Sequence, residues 1–368
     1  MKRVLVLIKG LGKGGAEQLL VNGAPYVDTS RFDYQFAYLL PWKDAFVRDL
    51  RDWGFPVRCI GSGHGPRWIW ELRKLVMEQR IDLIHAHLPF TGVGSRVAFS
   101  RGRGPKLVYT EHNVWGSYRR PTYWGNLLTY RRNDFVIAVS ESVRQSMRYP
   151  GSLSFLGMPR IETVYHGPDP AAIPTWNRVD GIRRELGIPE SAPVVGTVAN
   201  FKPKKGYPFL VEAAAEVRRH IPDVRFVLVG HGPEEPAIRR KAKELGLEET
   251  VIFAGYREDA PRVTATFDVF ALPSLFEGLS IALVEAMALG KASVVTAAGG
   301  IPEVVEDGTH GIVVPVGKPR EFARALITLL QDPDLRLRMG EAARGRAADF
   351  DIRSAVRRIE GVYEELLD

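Results

Sequence analysis

Short apolar, β-branched runs recur along the chain, and longer stretches with apolar residues every three or four positions lie between them. The runs predict strands at RVLVLI (3–8), YQFAYLL (34–40), VRCI (57–60), DLIHAH (82–87), KLVYTEH (106–112), FVIAVS (135–140) and IETVYHG (161–167). The series resumes with PVVGTVAN (193–200), VRFVLVG (224–230), VIFAG (251–255), VFALPS (269–274), ASVVT (292–296) and GIVVP (311–315). Stretches such as GYPFLVEAAAEVRRHI (206–221) and EEPAIRRKAKELGL (234–247) carry helical spacing. Strands alternating with helices predict α/β architecture, with parallel sheets wrapped by helices on both faces and ligands at the carboxyl ends of the strands.

Two such series, each long enough for its own sheet, meet at the Pro-rich segment HGPDPAAIPTWN (166–177), which breaks periodicity and reads as a linker. The expected division is 1–170 for an N-terminal domain and 171–350 for a C-terminal one. Residues 351–368 form a closing helix that either domain could receive, a return onto the first being the arrangement expected here. The length of 368 residues suits two domains.

Charge divides unevenly between the halves. Residues 1–170 hold 24 Lys and Arg against 14 Asp and Glu, and the remainder holds 26 against 29. The basic excess of the first half points to an anionic surface or substrate, or to a solvated basic face. Nucleic acid is disfavoured, because no finger, RNP-like or heptad signature is present. No apolar run approaches the roughly 20 residues that span a bilayer. The run Val4–Ile8 is too short for the core of a signal peptide and reads as a buried strand. The single cysteine, Cys59, cannot close an internal disulfide, so a cytoplasmic location is expected.

The first strand runs into GLGKGGAEQLL (10–20), in which Gly10, Gly12 and Gly15 spell G-x-G-x-x-G. A dinucleotide site would also place an acid at the tip of the second strand. That strand instead runs into Pro41 and Trp42, and Asp33 sits at its start. The loop is therefore a phosphate- or sugar-facing turn, a plain strand-to-helix turn, or, against the missing acid, a dinucleotide fingerprint.

In PSLFEGLSIALVEAMALGKASVVT (273–296), a strand ends in a loop carrying Glu277 and Gly278, and a helix is expected from about Leu279. Glu285 follows Glu277 by eight residues, about two helical turns. The helix start offers unpaired N–H groups at Leu279 and Ser280, suited to a diphosphate. Glu285 lies within the apolar IALVEAMAL, where a carboxylate needs hydrogen-bond donors; ribose hydroxyls or backbone would serve. The first strand of this half ends in VANFKPKKG (198–206), whose Lys202, Lys204 and Lys205 are either a solvated basic loop or cations for a departing diphosphate.

Together these motifs resemble the retaining glycosyltransferases of family 4, the group 1 glycosyltransferases. The marks are GGAE in the first loop, Lys-Gly after the first strand of the second half, FEGLSIALVEAMALGK with its E-x7-E, the following GGIPEVVEDGTHGIVVP, and HGPD (166–169) where many members carry an NGVD-like turn. The resemblance covers essentially the whole chain. It implies a GT-B fold of two Rossmann-like domains with parallel sheets facing across a cleft, the first binding the acceptor and the second a nucleotide sugar. It further implies transfer of a hexose from a UDP- or GDP-sugar to a glycan or lipid-linked acceptor with retained configuration. A GT-B epimerase or phosphorylase is the alternative.

Carried over, Glu277 meets the donor sugar hydroxyls, Glu285 the ribose and Lys205 the diphosphate. Gly278, Leu279 and Ser280 lie at the donor, and Gly14 and Gly15 border its phosphate and the acceptor. His112, in YTEHN, matches the family's active-site histidine. Many members carry Arg where Asn200 stands here, so Lys202 is expected to take over that charge, without arginine's bidentate fork.

His85, His87 and His112 all lie at predicted strand ends, but no further ligand completes a zinc set. The triplets Asp332-Pro333-Asp334 and Asp349-Phe350-Asp351 read as helix caps. No metal and no cofactor are therefore expected. Without a second carboxylate placed as a nucleophile, front-face substitution is expected, the leaving diphosphate taking the acceptor's proton. Two basic, aromatic stretches, PRWIWELRKL (66–75) and WGSYRRPTYWGNLLTYRR (115–132), suit an anionic membrane surface, which makes peripheral attachment to the inner face an expectation.

Overall fold

The computed structural model describes residues 1–61, 65–99, 102, 104–147, 158–169, 171–173, 179 and 181–368. Within the linker segment 166–177, residues 170 and 174–177 lie outside the described set. Two compact units emerge, one made of Met1–His166 with Ile352–Asp368, the other of Gly167–Asp351.

In the first unit every residue from Val4 to Ile8 is buried, as a strand covered on both faces must be. That strand, β1 (Lys2–Ile8), stands between β2 (Phe32–Tyr38) and β4 (Leu83–His87), with β3 (Val57–Cys59) beyond β2. On the other side follow β5 (Lys106–Glu111), β6 (Phe135–Ala138) and β7 (Arg160–Thr163). All pairings are parallel, in the order β3-β2-β1-β4-β5-β6-β7. The strand order reverses between β1 and β4, which opens a crevice at their carboxyl ends.

Helix α1 (Gly15–Gly23) follows β1, and α2 (Arg67–Gln79), α3 (Pro89–Ala98) and α4 (Arg120–Thr129) pack side by side. Trp68 of α2 is buried against Phe90 and the bare backbone of Gly94. In the segment 115–132, Trp115 and Tyr130 are core residues, 1% and 0% exposed, with their rings packed edge to face. These two rings are therefore not available to a headgroup interface, because Trp115 sits in a short 3-10 turn that tucks it inward.

The second unit repeats the plan with β8 (Val194–Val198), β9 (Arg225–Val229), β10 (Val251–Gly255), β11 (Val269–Leu272), β12 (Ser293–Thr296) and β13 (Gly311–Val314). Their order, β10-β9-β8-β11-β12-β13, reverses between β8 and β11. Helix α5 (Tyr207–His220) follows β8 and α6 (Ile281–Ala288) follows β11.

The closing helix, α7 (Ile352–Leu367), packs on the first unit. Its Ala355, Val362 and Tyr363 join the core of β1, β2 and β4. Its one buried acid, Glu360, accepts from the Tyr34 hydroxyl and from Asp28 N, both at 2.8 Å. Arg358 of the same helix forks onto Glu162, with both N–O distances 2.5 Å. The described residues include no helix long and apolar enough to cross a membrane.

Candidate active site

In the second unit the residues that follow β8 and β11 meet at the switch point. β8 leads through Asn200 and Lys202 into a single 3-10 turn, Pro203–Lys205, and Gly206 then turns the chain into α5. Gly206 has φ of +67°, and a Cβ there would stand 2.0 Å from the Pro273 carbonyl oxygen. Only glycine permits that conformation and that approach. Leu275 N donates to Lys204 O at 2.7 Å, which ties the lysine loop to the loop after β11.

Glu277, 5% exposed, lies in that second loop. Lys205 Nζ donates to its Oε1, and Ser274 Oγ donates to the same oxygen at 3.1 Å. Burial alone pushes the Glu277 carboxyl up, but Lys205 and Lys204 outweigh it and hold the group below its ordinary 4.5. Glu277 is therefore an ionised, buried carboxylate. The loop carrying it is clamped by Gly299, where a Cβ would meet the Glu277 carbonyl oxygen at 1.8 Å, and by Gly300 N donating to that oxygen at 3.3 Å. Ser274 is held in turn, its carbonyl accepting from Thr296 Oγ1 at 2.5 Å.

Helix α6 begins at Ile281, two residues beyond the expected start, so Gly278 and Leu279 lie in the approach and Ser280 is the N-cap. The Ser280 side chain makes no capping bond, which leaves the first N–H groups to other acceptors. Glu285 lies on α6, and burial pushes its carboxyl up to about 7. Lys204 is half-buried, and that burial lowers its ammonium despite Glu277 nearby. Lys202 is exposed and Asn200 half-buried at the same strand end. The structure thus gathers Asn200, Lys202, Lys205, Glu277, Gly278, Leu279, Ser280 and Glu285 on the two elements that flank one switch point.

The first unit holds the other candidates. Gly10, Gly12, Gly14 and Gly15 all have negative or extended φ. Gly10 instead admits the stem of Lys43, whose Cβ lies 2.8 Å from where a Gly10 Cβ would be. Gly15 has open space around it, whereas the third glycine of a dinucleotide turn serves close helix-to-strand packing. Gly14 is the N-cap of α1 and brings no side-chain cap.

His112 follows β5 directly and is placed by Glu111, a fully buried carboxylate that composition did not single out. Glu111 accepts from Tyr109 Oη and Trp115 Nε1, both at 2.9 Å, and from the Tyr118 hydroxyl. It also accepts from the backbone of His112 at 3.0 Å and of Asn113 at 3.3 Å. Burial pushes its carboxyl up against these bonds. His112 Nε2 lies 3.1 Å from His87 Nδ1. His85 is a satisfied core histidine, its Nδ1 2.5 Å from the Tyr363 hydroxyl and its Nε2 2.6 Å from Thr110 Oγ1. Burial holds the His85 imidazole down to about 3 and that of His166 to about 4, so both are neutral. Among the described residues, no three His, Cys, Asp or Glu side chains are grouped to hold a metal ion. Asp332 caps the helix Pro333–Ala347 by accepting from Leu335 N at 2.8 Å, and Asp349 pairs with Arg346.

Comparison with known proteins places these units in a family. Residues 179–346 match "Glycosyl transferases group 1" and residues 3–172 match "Glycosyltransferase Family 4". The chain is 30% identical over 308 residues to N-acetyl-alpha-D-glucosaminyl L-malate synthase of Bacillus anthracis, covering 81% of this chain and 78% of that one. It is 29% identical over 315 residues to alpha-D-kanosaminyltransferase of Streptomyces kanamyceticus, covering 81% of each. The crystal structure of Anabaena Alr3699/HepE in complex with UDP superposes with a TM-score of 0.81 at 25% identity, over 99% of this chain and all of that one. WaaG, a glycosyltransferase involved in lipopolysaccharide biosynthesis, shares the fold with a TM-score of 0.75 at 17% identity, over 98% of this chain and 99% of that one. Two parallel-sheet units of this order, with these matches across both, make the chain a member of the group 1, family 4 glycosyltransferases, on the GT-B fold.

Proposed function

We propose that the protein transfers a hexose from a UDP- or GDP-sugar to a glycan or lipid-linked acceptor of the cell envelope, with retention and without a metal. The buried Lys205–Glu277 pair at the β8/β11 switch point carries this reading. It supplies a fixed anion for sugar hydroxyls beside a cation for phosphate, at the place where such sheets bind ligands. The names of the relatives, and the UDP bound to Alr3699/HepE, support it.

In the proposed step the bond from the anomeric carbon to the diphosphate oxygen breaks. The bond from that carbon to the acceptor oxygen forms on the same face, and the acceptor's proton passes to the departing diphosphate. Lys205 and Lys202 neutralise the growing phosphate charge, Lys202 as a point charge only. The uncapped start of α6 adds N–H donors. His112, whose backbone N–H is held by Glu111 and whose ring meets His87, is the histidine proposed to act on the transferred sugar.

Thermal-shift screening with UDP, GDP and ADP, with and without EDTA and with NAD as control, tests the reading. One diphosphate is expected to raise the melting temperature equally in EDTA, by the equivalent of about 2.7 kcal/mol at a hundredfold excess over Kd. A shift with NAD alone overturns it.

Glu285 gives the reading a pH signature. Its carboxyl is raised from 4.5 to about 7 by burial. Any stability linked to it is therefore full below 4.5 and lost as pH rises through 7. Ribose hydroxyls donate best to the ionised group, so affinity for the nucleoside of the diphosphate that binds should rise through pH 7 and level about one unit above it. At pH 6 binding is expected to be about tenfold weaker than on the plateau. Glu285→Gln should flatten the profile; calorimetric titration reads both, and a flat wild-type profile removes the ribose role.

Trp70 on α2 and Trp124 and Leu128 on α4 are 61%, 54% and 69% exposed, on helices packed through α3. These residues, with the neighbouring arginines, are the proposed contact with an anionic membrane. The protein is expected to pellet with phosphatidylglycerol vesicles at low salt and to release at high salt. Protein left in the low-salt supernatant removes the membrane from the proposal.

A further inference from the structure

In the first unit a cavity of about 90 Å³ lies between the sheet and helices α1 and α7. It has room for about six water-sized bodies. Leu19 and Leu20 of α1, Phe36 and Ile137 of the sheet, and Val356 and Ile359 of α7 give it apolar walls. Most of its polar lining is already spoken for. The Tyr34 hydroxyl donates to Glu360, and His85 is held between Tyr363 and Thr110. His87 differs. The residue is 6% exposed, its ring lies 4.2 Å from that of His85, and its Nδ1 faces His112. Its Nε2 is buried and has no hydrogen-bond partner among the described residues.

We propose that this cavity binds a small neutral alcohol with an apolar body of about six carbons, whose hydroxyl pairs with His87 Nε2. Burial holds the His87 imidazole well below its ordinary 6.5, so the ring is neutral. None of its lining residues is Asp, Glu, Lys or Arg, so a carboxylate or ammonium would gain no ion pair there to offset the hydration it gives up. A pure hydrocarbon would leave Nε2 unpaired, as it is now. A hydroxyl suits either tautomer, since it donates to a lone pair or accepts from an N–H. Whichever of His87 and His112 holds the proton of their shared bond, the alcohol can answer. Under the proposed function, with the acceptor on the first unit as the family resemblance implies, the cavity receives an apolar, hydroxyl-bearing part of that acceptor. The binding itself stands apart from that reading.

The test uses the full chain with cyclohexanol as probe, and cyclohexane, cyclohexanecarboxylate and cyclohexylamine as controls. Long-range proton–nitrogen NMR of the imidazoles follows His87. Cyclohexanol is expected to shift the His87 Nε2 resonance saturably and at least tenfold more tightly than either charged control. Leu20→Phe, which fills the cavity, should abolish that shift while keeping stabilisation by the nucleoside diphosphate. Where that variant does not fold, the wild-type titrations decide alone. No saturable shift, an equal response to cyclohexane, or a water on Nε2 that cyclohexanol leaves in place each overturns the site. Diphosphate stabilisation measured on the same sample reports on the nucleotide binding that the proposed function requires, so the two failures are distinguishable.

Discussion

Lys205→Ala is expected to abolish stabilisation by nucleoside diphosphate, to lower transfer by at least about 100-fold, and to destabilise the second unit. The destabilisation follows from what remains. Glu277 is 5% exposed and keeps Ser274 as a donor and Lys204 as a neighbouring cation, but loses Lys205, the larger of the two charges that offset its burial. Removing one member of a buried pair costs about 3–5 kcal/mol, because the other charge stays behind. Acid should narrow the gap. The folded carboxyl of Glu277 lies below 4.5, so its stabilising contribution is present above 4.5 and lost as pH falls through the folded value. Wild type and variant are thus expected to melt further apart at pH 7 than at pH 3, as calorimetry would read. Equal melting temperatures at pH 7 would show that the pair contributes nothing to the fold.

Glu277→Gln separates charge from shape. Glutamine fills the same space and still accepts from Ser274 and Lys205, so stability should change less than in Lys205→Ala. Transfer is expected to fall by about 10²–10³-fold, the usual cost of losing one preorganised electrostatic contact. Affinity for the free diphosphate should stay within about tenfold, since a carboxylate assigned to sugar hydroxyls does not touch the phosphates. Steady-state rates with the donor that the thermal screen selects, set beside calorimetry with its diphosphate, give both numbers. A fully active Glu277→Gln enzyme removes that carboxylate from the mechanism.

Much of the fold was legible because parallel strands covered on both faces appear as unbroken apolar runs between helical stretches. All seven strands of the first sheet and all six of the second overlap such runs. The misplacement of β2, expected at 34–40 and found at Phe32–Tyr38, has a local cause. Leu39 and Leu40 are buried, but their N–H groups turn to Lys9 O, so the apolar signal outlasts the ladder. The glycine loop was ambiguous because glycine serves positive φ and close approach alike. At Gly10 the close approach to Lys43 is what excludes a side chain.

The cluster at the β8/β11 switch point is readable because its residues lie close to two strand ends and follow a family pattern. The surroundings of His112 are not. His85 meets Tyr363 across 278 positions, and Glu111 collects partners whose hydroxyls and indole have no sequence period. Composition places Trp115 on the surface, since aromatic and basic residues in one segment look alike whether a ring faces solvent or core, whereas the ring is buried. An acid beside a histidine at a strand end, with three aromatic donors within seven residues, is the signal that would have found Glu111.

The return of α7 to the first unit makes the second unit an insert. Its chain enters after His166 and leaves before Ile352, while Lys2 Nζ reaches back to Leu367 O at 2.8 Å. Order of synthesis and order of completion therefore part company. On the ribosome, residues 167–351 have every strand of their sheet before α7 is made. The first unit, though translated earlier, must wait with the faces of β1, β2 and β4 open until the last helix emerges. The same two crossing points make residues 167–351 an exchangeable cassette. The corresponding unit of a relative, spliced at 166/167 and 351/352, would leave every contact of α7 with the first sheet in place.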